Sequence, residues 1–312
     1  MFFTKSSCPQ IPADVPQALQ KEFCKNYTTI TKHKNRLFML AYDQKMEHLN
    51  KDFYGPDISP DALHPEHIFK IADSGTIGAL ATNLGLIARY GKQYPNIPYI
   101  AKLNGKTDLL STKQQDPLST QLWSVDDAIA LKNNSAINIC GVGFTIYLGS
   151  MHEQEMLAQA AQVVSKAHKN GLIAILWIYL RGAHIPRDQD PMITSGLGGL
   201  AATLGADFVK IKPPLDGDGK TSVQWLSIAS QAAGNTHIIC AGGSKTDPEQ
   251  FLNLLHQHIH QGHIAGCATG RNVFQQALPQ AIAMTNAISA IVYKDKNVAD
   301  AYKIYQSAKK NV

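Results

Sequence analysis

The sequence predicts an α/β protein, a (β/α)8 TIM barrel folded as a single domain with an N-terminal helical extension, and three observations predict it. From Arg36 onward, short apolar runs rich in β-branched residues alternate with longer helical patterns, which means parallel strands joined by helical crossovers. The runs number eight. Polar and basic residues gather at the C-terminal ends of those runs, where a closed barrel holds its reacting groups.

A length of 312 residues allows two domains at roughly 150 each, yet α/β barrels often exceed about 250 residues as one unit. Eight β/α units of mixed spacing fit a closed barrel better than an open doubly wound sheet. No Ser/Gly linker, low-complexity tract or fixed-period repeat divides the chain. The expected organisation is an extension over 1–35, the barrel over 36–287 and a C-terminal helical segment over 288–312.

Taken in order, the extension carries one amphipathic helix, PQALQKEFCKNY. The strands are RLFMLAYD, GALAT, YIAKLN, INICGVGF, LIAILWIY, ADFVKIK, HIICAGG and IAGCATG. After the fourth, EQEMLAQAAQVVSKAHKN has acids at its start and bases in its last turn, matching the helix dipole, and Asn170-Gly171 stops it. TDPEQFLNLLHQH starts with Thr246 or Asp247 as cap and Pro248 at the first helical position. DAYKIYQSAKK is the last helix; like the first, it either covers the barrel or serves an oligomer interface.

With 44% hydrophobic and 17% charged residues the chain can build a core and is too weakly charged for disorder. The excess of 29 Lys+Arg over 24 Asp+Glu is scattered rather than grouped, which favours a small anionic ligand over nucleic acid. The five cysteines are odd in number and lack a C-x-x-C pair, so neither a disulfide framework nor a structural zinc site is expected. MFFTKSSCPQ has no signal-type apolar region and no apolar run is long enough to cross a bilayer, so the expectation is a cytoplasmic protein without a membrane partner.

The strand ends supply the chemistry. They carry Asp43, Lys102, the pair Trp177 and Tyr179, the pair Lys210 and Lys212, then Gly242-Gly243-Ser244 and Thr269-Gly270-Arg271. The last two are glycine turns expected to open helices, exposing backbone N–H groups and positive dipole ends beside a bidentate arginine, which suits a phosphate. Otherwise the glycines merely permit tight turns. Alternation points Lys210 and Lys212 to one side. An inward ammonium without a partner loses its proton more readily, and a second cation, Lys212 or Lys102, lowers its pKa further, making a nucleophilic amine. The alternative is a lysine held in an ion pair with Asp43 or another carboxylate. Trp177 and Tyr179 face one way, so the phenol can move a proton while the indole walls the pocket, unless both are core aromatics.

Other motifs carry less. His256, His258, His260 and His263 include an i,i+4 pair suited to a metal, but they lie on a helix away from the strand ends. SGLGGLAATLG matches G-x-G-x-x-A without a preceding strand, and DGDGKTS lacks the first glycine of a P-loop and reads as a loop after the sixth strand. Cys140, Cys240 and Cys267 read as small buried residues, with Cys240 beside the phosphate turn.

Together, AYDQKMEH, AKLN, VGFTIYLGS, LWIYLRG, GADFVKIK, AGGSK and TGRNVFQ, in that order between Arg36 and Ala287, resemble the archaeal and bacterial class I fructose-bisphosphate aldolases of the DhnA type. Departures from that pattern are Lys45, where relatives usually have glycine, and Ser244, where archaeal members commonly have proline. The resemblance implies that Lys210 forms a Schiff base and that Tyr179 is an acid/base group. It also implies that Asp43, Lys102 and Trp177 line the site. The phosphate falls to Gly242, Gly243, Ser244, Gly270 and Arg271, with Arg181 at a second phosphate. It implies a phosphorylated sugar substrate, no metal or other cofactor, and a homo-oligomer, with a decamer the suggested size. Three rivals remain: a zinc-dependent aldolase, which needs histidines at strand ends; a related barrel acting on another phosphorylated keto compound; and a phosphosugar-binding barrel without turnover.

Overall fold

The computed structural model describes residues 8–48, 51–109 and 116–308. Its strands are β1 (Leu37–Ala41), β2 (Ala79–Asn83), β3 (Tyr99–Lys102), β4 (Asn104–Gly105), β5 (Thr120–Gln121), β6 (Ile139–Leu148), β7 (Ile173–Leu180), β8 (Phe208–Ile211), β9 (His237–Ala241) and β10 (Gly266–Thr269). Short β4 and β5 form an antiparallel pair of their own. The other eight strands close into a barrel in the order β1, β10, β9, β8, β7, β6, β3, β2. Every pairing in the barrel is parallel, and β1 against β10 closes it, from Leu37 opposite Gly266 to Leu40 opposite Thr269. All eight expected runs are barrel strands. One is longer than expected: β6 continues past Phe144 through Thr145-Ile146-Tyr147-Leu148.

Strands buried on both faces explain the continuous apolar runs. Alternation sends Leu37 and Met39 into the barrel lumen with Ala79, Ala81, Ile173, Ile175 and Phe208, and Phe38 and Leu40 outward into the layer between strands and helices. The helices are α1 (Gln20–Thr31), α2 (Gln44–Glu47), α3 (Glu66–Ser74), α4 (Leu84–Tyr90), α5 (Val125–Ser135), α6 (Glu153–His168), α7 (Pro191–Thr203), α8 (Val223–Ala232), α9 (Pro248–His260), α10 (Arg271–Phe274), α11 (Leu278–Lys294) and α12 (Val298–Ser307). Asp247 caps α9 by accepting from the N–H groups of Glu249 and Gln250, with Pro248 following it. The turn after α6 ends at Gly171, whose φ of +66° is left-handed, as a glycine stop requires.

The extension closes the N-terminal end of the barrel. Phe23, Tyr27 and Ile30 of α1 bury their side chains against the lumen residues, and Tyr27 stacks on Phe208 with ring centroids 5.7 Å apart. Asn26 donates to Gly171 O at 2.8 Å, and His168 of α6 lies between Asp14 (2.8 Å) and Asp207 (3.3 Å). Cys8 and Cys24 are joined in a disulfide, their Cα atoms 5.1 Å apart. That single bond goes against the expectation of no disulfide framework. The pairing is tertiary, made when the chain doubles back over α1, and leaves no spacing motif. Cys140, Cys240 and Cys267 are free and buried, as expected.

At the other terminus, α11 crosses the expected boundary at residue 287 without a break and α12 packs on it. The expected helix DAYKIYQSAKK is α12, although its residues 309 and 310 lie outside the described residues. Among the described residues no helix is long and apolar enough to cross a membrane. With α1 filling one end, the open mouth is at the C-terminal ends of the strands.

Candidate active site

A cavity of about 690 Å³ opens at that mouth. It is lined by Asp43 just after β1, Tyr179 from β7 and Arg181 just after it, Lys210 from β8, Gly242, Gly243 and Ser244 after β9, and Gly270 and Arg271 after β10. In the ring these strands are neighbours, running β1, β10, β9, β8, β7. Lys210 therefore stands between the glycine turns on one side and Tyr179 and Arg181 on the other. Arg271 and Arg181 are three strands apart, on opposite flanks of the lysine.

Lys210 is only 4% exposed, and its amine lies 5.7 Å from the Trp177 ring centroid and 5.9 Å from that of Tyr179. Trp177 pairs with Lys210 in the β7–β8 register, and Tyr179 lies two residues further toward the mouth on the same face. Burial lowers the lysine pKa; Asp43 and Glu47 oppose that, and Lys102 and Arg271 reinforce it. The net direction is down, toward a free amine. Burial, then the charges of Asp43 and Glu47, push the Tyr179 phenol well above its ordinary value, so it keeps its proton. One carboxylate oxygen of Asp43 is buried without a hydrogen-bond partner, an acceptor held ready at the cavity wall.

Three expected neighbours differ. Lys212 lies one residue beyond β8, its side chain is 41% exposed, and it pairs with Asp188 at the rim. Alternation fails to keep it beside Lys210 because the strand has already ended. The cations that add to the lysine's electrostatics are Lys102 and then Arg271. Contrary to the expectation that they line the site, Lys102 and Trp177 are absent from the cavity wall and lie one layer beneath it, both 0% exposed. Lys102 Nζ is 5.6 Å from the Trp177 ring centroid and donates to Asn104 O at 2.8 Å. The indole fits there because position 143, opposite Lys102 in β6, is glycine; a Cβ would collide with the ring. Arg181 lies at the rim, 49% exposed at its side chain, near Asp108 at 3.8 Å and over the Tyr147 ring at 5.7 Å.

The glycine turns are required sterically. A Cβ at Gly242 would strike Thr269, Gly243 has φ +67°, and a Cβ at Gly270 would strike Ala41 O. Only the second turn opens a helix directly, since Gly270 is the N-cap of α10. The first is followed by two residues, Lys245 and Thr246, before Asp247 caps α9 with its own carboxylate, so the N-terminus of α9 is already answered by that side chain. What joins the turns is Asn272, 2% exposed: its amide donates to Gly242 O (2.8 Å) and Ser244 O (3.1 Å) and its oxygen accepts from Thr246 N (2.9 Å). Arg271 Nε donates to Gly243 O at 3.1 Å, and Nη1 lies 3.6 Å from Asp52.

Sequence reading missed Asn272, Tyr147 and Glu47. Tyr147 stacks on Tyr179 with ring centroids 6.3 Å apart; the expected run INICGVGF stops at Phe144, three residues short of it. Glu47 lines the cavity one helical turn after Asp43, a spacing that does place two carboxylates on one face. Of the histidine cluster, His258 borders the cavity, and burial pushes it down to about 4; His256 and His260 are outside its lining, their rings 4.2 Å apart on α9. Among the described residues, no group of three or more His, Cys, Asp or Glu side chains could hold a metal ion.

Comparison with known proteins places this geometry in a family. Residues 37–276 match the model of the DeoC/LacD family aldolases. The chain is 45% identical over 301 residues to a protein of Methanocaldococcus jannaschii named fructose-bisphosphate aldolase/6-deoxy-5-ketofructose 1-phosphate synthase, covering 96% of each chain. A solved fructose-bisphosphate aldolase from Slackia heliotrinireducens superposes with a TM-score of 0.92 at 45% identity, over 96% of this chain and 94% of that one. An archaeal fructose-1,6-bisphosphate aldolase, solved with its catalytic lysine bound to the carbinolamine intermediate, aligns with a TM-score of 0.73 at 30% identity, over 87% of this chain and 99% of that one. With its closed barrel and a buried lysine at the mouth, the chain belongs to the DeoC/LacD family of aldolases, which are carbon–carbon lyases.

Proposed function

We propose that the chain is a Schiff-base-forming class I aldolase that reversibly cleaves fructose 1,6-bisphosphate to dihydroxyacetone phosphate and glyceraldehyde 3-phosphate. One observation carries this reading: an amine buried between two aromatic rings, with its pKa lowered by desolvation, stands in a cavity flanked by arginines. Neutral Lys210 attacks the C2 ketone, water leaves, and the protonated imine becomes the electron sink. The C3–C4 bond then breaks as the C4 hydroxyl loses its proton, leaving an enamine. Tyr179, which stays protonated, gives the enamine carbon its proton, and hydrolysis of the imine frees dihydroxyacetone phosphate. Asp43 accepts hydrogen bonds around the carbinolamine through its unpartnered oxygen.

In this reading the turns at Gly242-Gly243-Ser244 and Gly270-Arg271 hold one phosphate and Arg181 meets the other. Two fixed phosphates align the ketone with the amine, which is where positioning enters the rate. Borohydride reduction in the presence of dihydroxyacetone phosphate, followed by peptide mapping, should add the reduced adduct to Lys210. No adduct, or one on another residue, removes the assignment.

The name of the Methanocaldococcus relative supports a second use of the same enamine. Splitting 6-deoxy-5-ketofructose 1-phosphate between C3 and C4 yields a dihydroxyacetone phosphate unit and 2-oxopropanal. An enamine on Lys210 adding to that unphosphorylated aldehyde would make the compound without Arg181. Offering both aldehydes to the enzyme with dihydroxyacetone phosphate compares the two products directly.

A further inference from the structure

Glu47 stands where the lysine chemistry needs a movable proton. It lies on α2, four residues after Asp43, and its side chain lines the cavity that Lys210 enters. Lys102 lies behind it, fully buried, with its Nζ 3.5 Å from one carboxylate oxygen. That ion pair is loose. The closer partner of Lys102 is Asn104 O at 2.8 Å, and Asn104 is locked by bonds to Ser119 O (3.0 Å), Thr145 O (2.8 Å) and Thr145 N (2.8 Å). Lys102 Nζ thus keeps a backbone partner that does not depend on Glu47. Among the described residues, the other carboxylate oxygen of Glu47 accepts no hydrogen bond.

The groups facing Glu47 are Asp43 and His48 from its own turn, Lys102 from β3 and Lys210 from β8, while its charge in turn acts on Tyr147 of β6 and Tyr179 of β7. Lys102 and Lys210 approach the same indole, at 5.6 and 5.7 Å from its centroid. A proton moving from Lys210 to Glu47 leaves the total charge of this cluster unchanged and replaces an ammonium and a carboxylate by two neutral groups in a buried cluster.

We propose that Glu47 is the proton carrier for Lys210 during imine formation. The idea rests on the Schiff-base reading above. The ammonium of Lys210 gives a proton to the Glu47 carboxylate, leaving an amine and a carboxylic acid. The amine forms a C–N bond to the ketone carbon, and its proton passes to the former carbonyl oxygen, giving a neutral carbinolamine. Glu47 returns its proton to that hydroxyl, the C–O bond breaks, and water leaves an iminium and a carboxylate. Charge and protons balance with no added reagent. Burial, opposed by Lys102 and aided by Asp43, raises the Glu47 pKa, in the direction a carrier near neutral pH requires.

The test is the rate at which borohydride traps dihydroxyacetone phosphate on Lys210, measured against pH in a rapid-quench apparatus. Wild type, Glu47→Gln and Glu47→Asp are compared, with thermal unfolding and inorganic phosphate affinity as checks on folding. Glu47→Gln should still be tagged at Lys210, but about 10²-fold or more slowly, and its profile should lose one limb. Glu47→Asp should recover part of the rate with the limb moved to lower pH, since aspartate is ordinarily the stronger acid. Trapping by the Gln variant at the wild-type rate and profile overturns the proposal and leaves Glu47 as a counter-ion. If the Gln variant fails to fold, an Asp profile that does not move overturns it equally. Absence of any adduct in wild type would instead sink the Schiff-base reading, and the carrier with it.

Discussion

Lys210 and Trp177 face each other across β8 and β7 in strict register, and the amine lies 5.7 Å from the centre of a fully buried indole. The ring displaces water that would otherwise solvate the ammonium. The lysine is therefore placed at a cost to stability that the free amine does not incur.

That cost predicts the behaviour of Lys210→Met. A lysine whose folded pKa is lowered below its unfolded value binds its proton less well in the native state, so native stability suffers as pH falls below about 10. The penalty grows until the lowered pKa is passed and is constant below it. Methionine removes it. The variant should melt higher than wild type at neutral pH, with the difference vanishing toward strongly alkaline pH, while cleavage is lost. Thermal unfolding of both proteins across the pH range checks the sign, and a lower melting temperature for the variant at neutral pH would contradict it.

Tyr179→Phe should separate imine formation from proton transfer. The phenol is half-buried beside Tyr147 and keeps its proton, so the variant loses a donor but little packing. Trapping at Lys210 should persist, whereas cleavage should fall about 10²–10⁴-fold. Single-turnover measurements resolve the two steps.

Asn272→Ala should act on substrate affinity. Four hydrogen bonds of one buried side chain join the two glycine turns, and their loss leaves the carbonyls of Gly242 and Ser244 unpaired by it. Stability should drop by about 1–3 kcal/mol. KM for the phosphorylated ketose should rise roughly tenfold or more, with kcat changed less, because the phosphate seat loosens while Lys210 is untouched. Inhibition by inorganic phosphate offers an independent readout.

The N-terminal plug should loosen as pH rises. Burial alone would lower the His168 pKa, but hydrogen bonds and charge from Asp207 and then Asp14 prevail and raise it. A histidine with a raised folded pKa stabilises the native state fully below about 6.5, its unfolded value, and that contribution disappears as pH rises through the folded value. Wild type should therefore lose thermal stability over that interval. His168→Gln should show a flatter profile, and an equally steep one would exclude His168 as the cause.

Much of this was legible in the chain. Eight apolar runs and the residues at their ends lead to the barrel and to Lys210, Tyr179, Asp43 and the glycine turns. The reason is that burial on both faces writes strands as continuous apolar stretches, and a polar residue ending one is conspicuous. What resisted reading was depth and partnership. Lys212 sits one residue past its strand and turns to Asp188, Lys102 lies beneath the cavity, and Glu47 is an ordinary glutamate until Lys102 and Lys210 surround it.

By itself, then, the sequence determined the closed barrel, its strand order and the end at which the chemistry sits, since these follow from local periodicity and from the rule that parallel strands need crossovers. Only the tertiary structure decided which cation adjoins Lys210, that Asn272 joins two turns, and that Cys8 meets Cys24. Those depend on register and on how far each strand runs before it ends. A shift of one residue there changes which side chain faces the lysine, and no local pattern records it.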